Sequence, residues 1–215
     1  MSLVMVQLSL EQEQILVGSI LGDACIEQNG INHRVKFDHS LAQEQYLFWK
    51  YKKLFDLSTK IRYKDVLDPR TEKKYSHVMF NTRTSSRFSE LHEIFYRDRR
   101  KLIPKNIVEI FNSPIALATW YLDDGAKRTD CNALRIHTNS YPRANQELLV
   151  EMLQFNYQIK SRIHKVKNEE YVLYIPSGQA LRFCEMIYPI VKEIPSMRYK
   201  ILDRVTTEEN VAQAA

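Results

Sequence analysis

The chain has 215 residues, enough for one substantial core or two small ones. Its apolar fraction of 44% with 11% aromatics excludes a disordered tail. No apolar run approaches the ~20 residues of a membrane span, and the first residues lack the basic start and cleavage site of a secretory signal. The net charge of +5 is compatible with a nucleic-acid partner. The three cysteines, Cys25, Cys131 and Cys184, are widely spaced, form no metal-ligand pattern and fit a reducing, intracellular compartment.

Taken in order, the first few residues read as a loose end. Ser9 reads as an N-cap with Gln12 as its capping-box partner, opening a helix over 10–22. Gly18 and Gly22 share one face of that helix, which suits close approach of a second helix backbone. Strands are expected at 24–28 and 33–39, joined by the hairpin signal Asn29-Gly30. A helix follows over 42–55, with Tyr46, Trp49 and Leu54 facing the core. Residues 60–64 alternate basic and apolar as a half-exposed strand does, Asp68-Pro69 marks a turn, and 75–84 is a second alternating strand. A helix over 86–95 precedes the basic run 97–101 and Ile103-Pro104.

Ser113-Pro114 then opens a further helix as N-cap and first helical residue. Strands at 133–138, 161–166 and 171–175 and helices over 144–156 and 178–188 complete a second half that repeats the order of the first. Residues 106–112 join the halves, and 210–215 read as an unstructured end. Charge is uneven along the chain. Over 59–105 there are thirteen Lys or Arg against six Asp or Glu, an excess of seven where the whole chain has five. A sheet face carrying Lys60, Arg62, Lys64 and Arg83 suits a nucleic-acid groove, because phosphates attract the charges and long side chains reach base edges.

Two stretches organise this pattern. Residues 16–24 read Leu-Val-Gly-Ser-Ile-Leu-Gly-Asp-Ala, and 117–125 read Leu-Ala-Thr-Trp-Tyr-Leu-Asp-Asp-Gly. Each is an apolar helical run that places an acid at its C-terminal end, where the helix dipole disfavours negative charge. If the two helices pack side by side, Asp23 and Asp124 meet. Like charges at that distance need a counter-charge, and a hard divalent cation supplies one. Asp123 is a rival of Asp124 for this role, and the backbone carbonyls near Gly22 and Asp123 are further candidate ligands.

These stretches resemble the LAGLIDADG motif of homing endonucleases. Leu16, Gly18, Ile20 and Asp23 match motif positions one, three, five and eight, and Leu117, Ala118, Asp124 and Gly125 match one, two, eight and nine. Leu21 and Leu122 replace the sixth-position Asp, and Ala24 replaces the final Gly. Two copies in one chain resemble the single-chain, pseudo-symmetric branch.

The resemblance implies an α+β fold of two αββαββα halves, 9–105 and 113–205, each with a curved antiparallel sheet, packed through the motif helices. It implies a monomeric site-specific endonuclease that cuts both strands of DNA with Mg2+, or Mn2+ in its place. Asp23 and Asp124 would be the catalytic metal ligands. Lys101 and Lys200, placed near the two Ile-Pro pairs, would serve the scissile phosphates. Asp38 and either Thr138 or Asn139 would position water. Lys36, Asp38, Lys60, Arg62, Lys64, Arg83, Arg135, Asn139 and Lys165 would face DNA. The alternatives are an RNA maturase that assists splicing of its host intron, and a DNA-binding protein without cleavage. The expected setting is an organelle or a bacterial cytoplasm.

Overall fold

In a computed structural model, described for residues 6–167 and 170–205, Ser9 caps helix α1, Leu10–Leu21, through the expected capping box with Gln12. Residues 1–5 and 210–215, read above as loose ends, lie outside the described residues. From Ile15 to Leu21 every residue of α1 is buried, including Ser19. A helix apolar on all sides is one enclosed on all sides. Its enclosing partner is α5, Pro114–Asp124, which is buried from Ala116 to Asp123. Gly18 permits this packing, since a Cβ there would stand 2.1 Å from Thr119 Oγ1 and 2.4 Å from the Ala116 carbonyl oxygen. At Gly22 a Cβ would stand 2.4 Å from the Asp123 Cβ. The two helices therefore run together down to their acidic ends.

Two like-ordered halves flank this seam. In the first, β1 (Cys25–Asn29), β2 (Asn32–Ser40), α2 (Glu44–Lys53), β3 (Arg62–Leu67), β4 (Lys74–Asn81) and α3 (Ser86–Phe95) follow α1. A small hairpin of β5 (Tyr96–Arg97) and β6 (Arg100–Lys101) comes next, then the short helix α4, Ile107–Ile110. In the second, β7 (Gly125–Lys127), β8 (Leu134–Ile136), α6 (Arg143–Tyr157), β9 (Arg162–Lys167), β10 (Glu170–Ile175) and α7 (Ser177–Val191) follow α5. The antiparallel sheets have the orders β1-β2-β4-β3 and β7-β8-β10-β9, the same topology twice. This is the expected αββαββα pattern.

Register equates positions across the halves. Cys25 pairs with Lys36, and Ala126 pairs with Arg135. Since Cys25 and Ala126 each stand two residues past their motif aspartate, Lys36 corresponds to Arg135 and His39 to Thr138.

Several local features differ from the sequence reading, among them β7, which none of the three strands expected in the second half covers. The β1–β2 loop is Gly30-Ile31, with Gly30 in the first central position at φ +69°, so the turn lies one residue later than Asn29-Gly30 suggested. The run 97–101 is a hairpin whose central residues Asp98 and Arg99 both have positive φ, 50° and 62°. Neither is a glycine, and so the sequence carried no turn signal there. Helix α7 continues past residue 188 through Pro189 to Val191. Proline removes one helical hydrogen bond, and Ile187, Tyr188 and Val191 are buried on the core side. No helix among the described residues is long and apolar enough to cross a membrane.

Candidate metal centre

The acidic ends of α1 and α5 lie together. The Asp23 side chain is 44% exposed, whereas that of Asp123 is fully enclosed. Asp124 is half-buried. Burial, then the charges of Asp123 and Asp23, push the Asp124 carboxyl up to about 8. Burial and the Asp123 charge raise Asp23 as well. Carboxylates that hold one another's protons in this way form a natural seat for a divalent cation. Asp23, His39 and Asp123 each bring a ligand atom within 4.8 Å of the others.

The two lysines expected near the site are both present, delivered by unlike elements. Lys101 comes from the β5–β6 hairpin, and its Nζ donates to the carbonyls of Gly22 and Ala24, both at 2.9 Å. Lys200 ends the 3-10 turn Pro195–Lys200, and its Nζ donates to the carbonyls of Leu122 and Asp123 at 2.6 and 3.0 Å. Gly22 and Asp123 occupy the same motif position, so each lysine grips the equivalent carbonyl of its own motif helix. Burial lowers the pKa of both lysines, opposed by the surrounding aspartates. The carbonyls of Gly22 and Asp123, expected as metal ligands, thus each accept a lysine hydrogen bond.

Asp123 behaves differently from the other two acids. Its Oδ1 accepts from Lys50 Nζ at 2.7 Å, and its Oδ2 accepts from the Asp23 backbone N–H at 3.3 Å. Lys50 is completely buried, with its Nζ over the Tyr46 ring at 4.3 Å. The ammonium also meets His39 Nε2 at 3.3 Å. Burial, then the Lys50 charge, lowers the His39 pKa to about 3 and keeps the ring neutral. Sequence reasoning missed Lys50 and His39. The alternation of β2 was the available signal, because it turns His39 inward beside Val35 and Phe37. Lys50 gave none, since a lysine on a helix ordinarily faces water.

The same alternation corrects Asp38. It points to the opposite face of β2 from His39, where it accepts from Lys64 at 2.7 Å and His77 at 2.8 Å, with Lys36 at 3.5 Å. The hydrogen bonds from Lys64 and His77 outweigh burial and lower its pKa. Asp38 is therefore part of the outer sheet face and not of the acidic site. The register counterpart of His39 is Thr138, which is buried and donates to Gln146 at 2.9 Å, while Asn139 is exposed and donates to Glu170 at 3.0 Å.

On the outer face of the first sheet, cross-strand pairing puts Lys36, Asp38, Arg62, Lys64, His77 and Met79 side by side. Lys60 and Arg83 are exposed beyond the strand ends. In the second sheet Arg135 pairs with Tyr174, which pairs with Arg162, and His164 stacks on Tyr174 at 4.2 Å. Lys165 pairs with Tyr171, one step out of phase, and Tyr171 lies against Arg143 of α6. Lys165 thus belongs to the helix-side face. Arg162 and His164 lie on the opposite face, with Arg135 and Tyr174.

Comparison with known proteins agrees with this geometry. The model of the LAGLIDADG DNA endonuclease family matches residues 13–183. The cytochrome b mRNA maturase bI2 of Debaryomyces hansenii is 30% identical over 204 residues, covering 90% of this chain and 74% of the maturase. The DNA endonuclease I-ChuI of Chlamydomonas applanata is 29% identical over 213 residues, covering 91% and 96%. Among solved structures, the homing endonuclease I-WcaI bound to its DNA recognition sequence superposes with a TM-score of 0.82 at 24% identity, covering 92% of this chain and 88% of that one. With the family model spanning most of the chain and both motifs in place at the helix ends, the protein belongs to the LAGLIDADG DNA endonuclease family.

Proposed function

We propose that the chain is a site-specific endonuclease of double-stranded DNA that cuts one phosphodiester in each strand with a divalent cation, Mg2+ or Mn2+ in its place. The observation that carries this reading is the paired end-structure of the motif helices. Asp23 and Asp124 stand at equivalent positions, and Lys101 and Lys200 bind equivalent carbonyls. Hydrolysis of a phosphodiester needs an activated water, a counter-charge for the phosphate and help for the leaving oxygen, all of which a carboxylate-held divalent cation supplies.

Asp23 and Asp124 suit the role of holding that cation. Their raised pKa values mean that cation binding would relieve an existing repulsion. Lys101 and Lys200 fix the carbonyls of the helix ends and place a positive charge beside the point where phosphate would sit. In this reading Asp123 contributes its carbonyl oxygen, since its carboxylate is engaged by Lys50.

The halves 9–105 and 113–205, joined by 106–112, would each read half of a long target. Both half-sites lie in one chain, so a monomer suffices. The outer sheet faces around Arg62, Lys64, Arg135 and Arg162 suit phosphate and base-edge contacts. Such an enzyme works where its DNA lies, inside an organelle or a bacterial cytoplasm.

A second reading has a specific observation in its favour: the Debaryomyces hansenii relative is named a maturase. The same basic faces would then meet the RNA of a host intron. Incubating the protein with a randomised DNA library and Mg2+, and sequencing the broken ends, separates the two. Recovery of one site with both strands cut supports the endonuclease. Absence of cleavage, with tight salt-sensitive binding to structured intron RNA, supports the maturase.

A further inference from the structure

The two half-sites are not equal. On the first side a closed ring of contacts surrounds Asp23. Lys50 Nζ donates to Asp123 Oδ1 at 2.7 Å, and Asp123 Oδ2 receives the Asp23 backbone N–H at 3.3 Å. In the other direction Lys50 Nζ lies 3.3 Å from His39 Nε2, and His39 Nδ1 lies 3.7 Å from Asp23 Oδ2. An ammonium has only donors, so Nε2 must accept and the ring proton resides on Nδ1, facing Asp23. Gln43 is a further hydrogen-bond partner of the ring. The side chains of Lys50, Asp123 and His39 are 0, 0 and 2% exposed, so water does not compete for the Lys50–Asp123 and Lys50–His39 contacts, whereas the Asp23 carboxylate opens to solvent.

The second side has other residues at the equivalent places. Thr138 stands where His39 would and turns its hydroxyl to Gln146. Leu149, at the same separation from Thr138 as Lys50 from His39, is fully buried and apolar. One half thus buries a lysine at the place where the other buries a leucine.

We propose that Lys50 is a positioning residue that acts through Asp123 to fix the backbone of Asp23 and through His39 to orient the ring that faces its carboxylate, and thereby gives one DNA strand a cleavage requirement that the other lacks. The inference rests on the endonuclease reading for its consequence but not for its geometry. Asp123 holds the Asp23 main-chain N–H by a hydrogen bond, and the His39 ring stands against the Asp23 carboxylate with Nδ1 3.7 Å from Oδ2. Asp124 has its carbonyl anchored by the His137 N–H at 2.9 Å. Removing Lys50 would loosen Asp23, whereas the Asp124 main chain keeps its own anchor at His137.

Lys50→Met alone strands the Asp123 charge in the core, which endangers folding. The working variant is therefore the double substitution Lys50→Met, Asp123→Asn, which removes both charges together. Two measurements decide the matter. The first needs neither DNA nor metal: 15N NMR of the His39 ring, assigned by its loss in His39→Gln. The expected wild-type spectrum shows a protonated Nδ1 and a bare Nε2, and the double variant shows this preference lost. A wild-type ring protonated on Nε2 overturns the proposal.

The second measurement follows each strand of a cleaved site separately with end-labelled DNA. In the double variant one strand is expected to slow by about 10–100-fold relative to the other, so nicked DNA accumulates. A folded variant that slows both strands together, or neither, overturns the proposal. If the wild-type protein cuts no DNA, the endonuclease reading fails by itself, and the ring spectrum still decides the placement of Lys50.

Discussion

Asp124 carries the clearest chemical signature of any single residue here. A carboxyl held near pKa 8 by burial and two neighbouring acids is mostly protonated at pH 7, so a cation must displace a proton to bind it. Apparent Mg2+ affinity, measured by calorimetry, should therefore rise as pH increases from 6 to about 8 and level off above that. A flat profile over this range would contradict the assignment of Asp124 as a ligand. The stability effect has the opposite sign. Asp124 in the folded state binds its proton more tightly than in the unfolded chain, where it titrates near 3.8. The stability that this proton brings is present below pH 4 and is lost as pH rises toward 8. In EDTA the melting temperature should show that decline across neutral pH, and Mg2+ should oppose it.

At the level of elements, the seam between α1 and α5 depends on Gly18. Gly18→Ala gains helix propensity, but its methyl group meets backbone as well as the Thr119 hydroxyl, and backbone cannot turn aside. Overpacking at such a site should cost about 2 kcal/mol, seen as a melting temperature lower by about 4–8 °C. The outer face of the second sheet gives a second test. Arg162→Ala and Arg135→Ala should each weaken DNA binding and reduce its logarithmic salt slope by about 1 if each neutralises a phosphate. Lys165→Ala, on the helix-side face, should change that slope less. Equal effects of all three would show that the strand register does not govern the DNA surface.

The elements also show what a reader of the sequence could and could not see. The motif helices were legible because their apolar runs, caps and terminal acids are local features. Asp23, Asp124, Lys101 and Lys200 followed from the motif and its spacing to the Ile-Pro pairs. The β5–β6 hairpin was not legible, since Asp98-Arg99 lacks the glycine that usually marks such a turn. Lys50 was hidden for a different reason. Its burial depends on Asp123, which is distant in sequence and sits on the other half's helix. Arg162 and Lys165 look alike along the chain, and only cross-strand pairing assigns their faces.

For the whole molecule, duplication explains both the symmetry and its breach. Two αββαββα halves bring one acid each to a shared seam, which suits a partner with two antiparallel strands. Contacts reach across the seam in both directions: Tyr46 donates to the Thr119 carbonyl at 3.0 Å, and Tyr141 donates to the Leu21 carbonyl at 3.0 Å. Each half thus steadies the motif helix of the other, and neither acid is positioned by its own half alone. The most direct test of this arrangement compares wild type with Asp23→Asn, Asp124→Asn on the recovered target, with binding and cleavage measured separately. The double variant should bind DNA at least as tightly as wild type, because two negative charges are gone, while its cleavage in Mg2+ falls by at least about a hundredfold. Cleavage at an undiminished rate would show that the chemistry lies elsewhere in the protein.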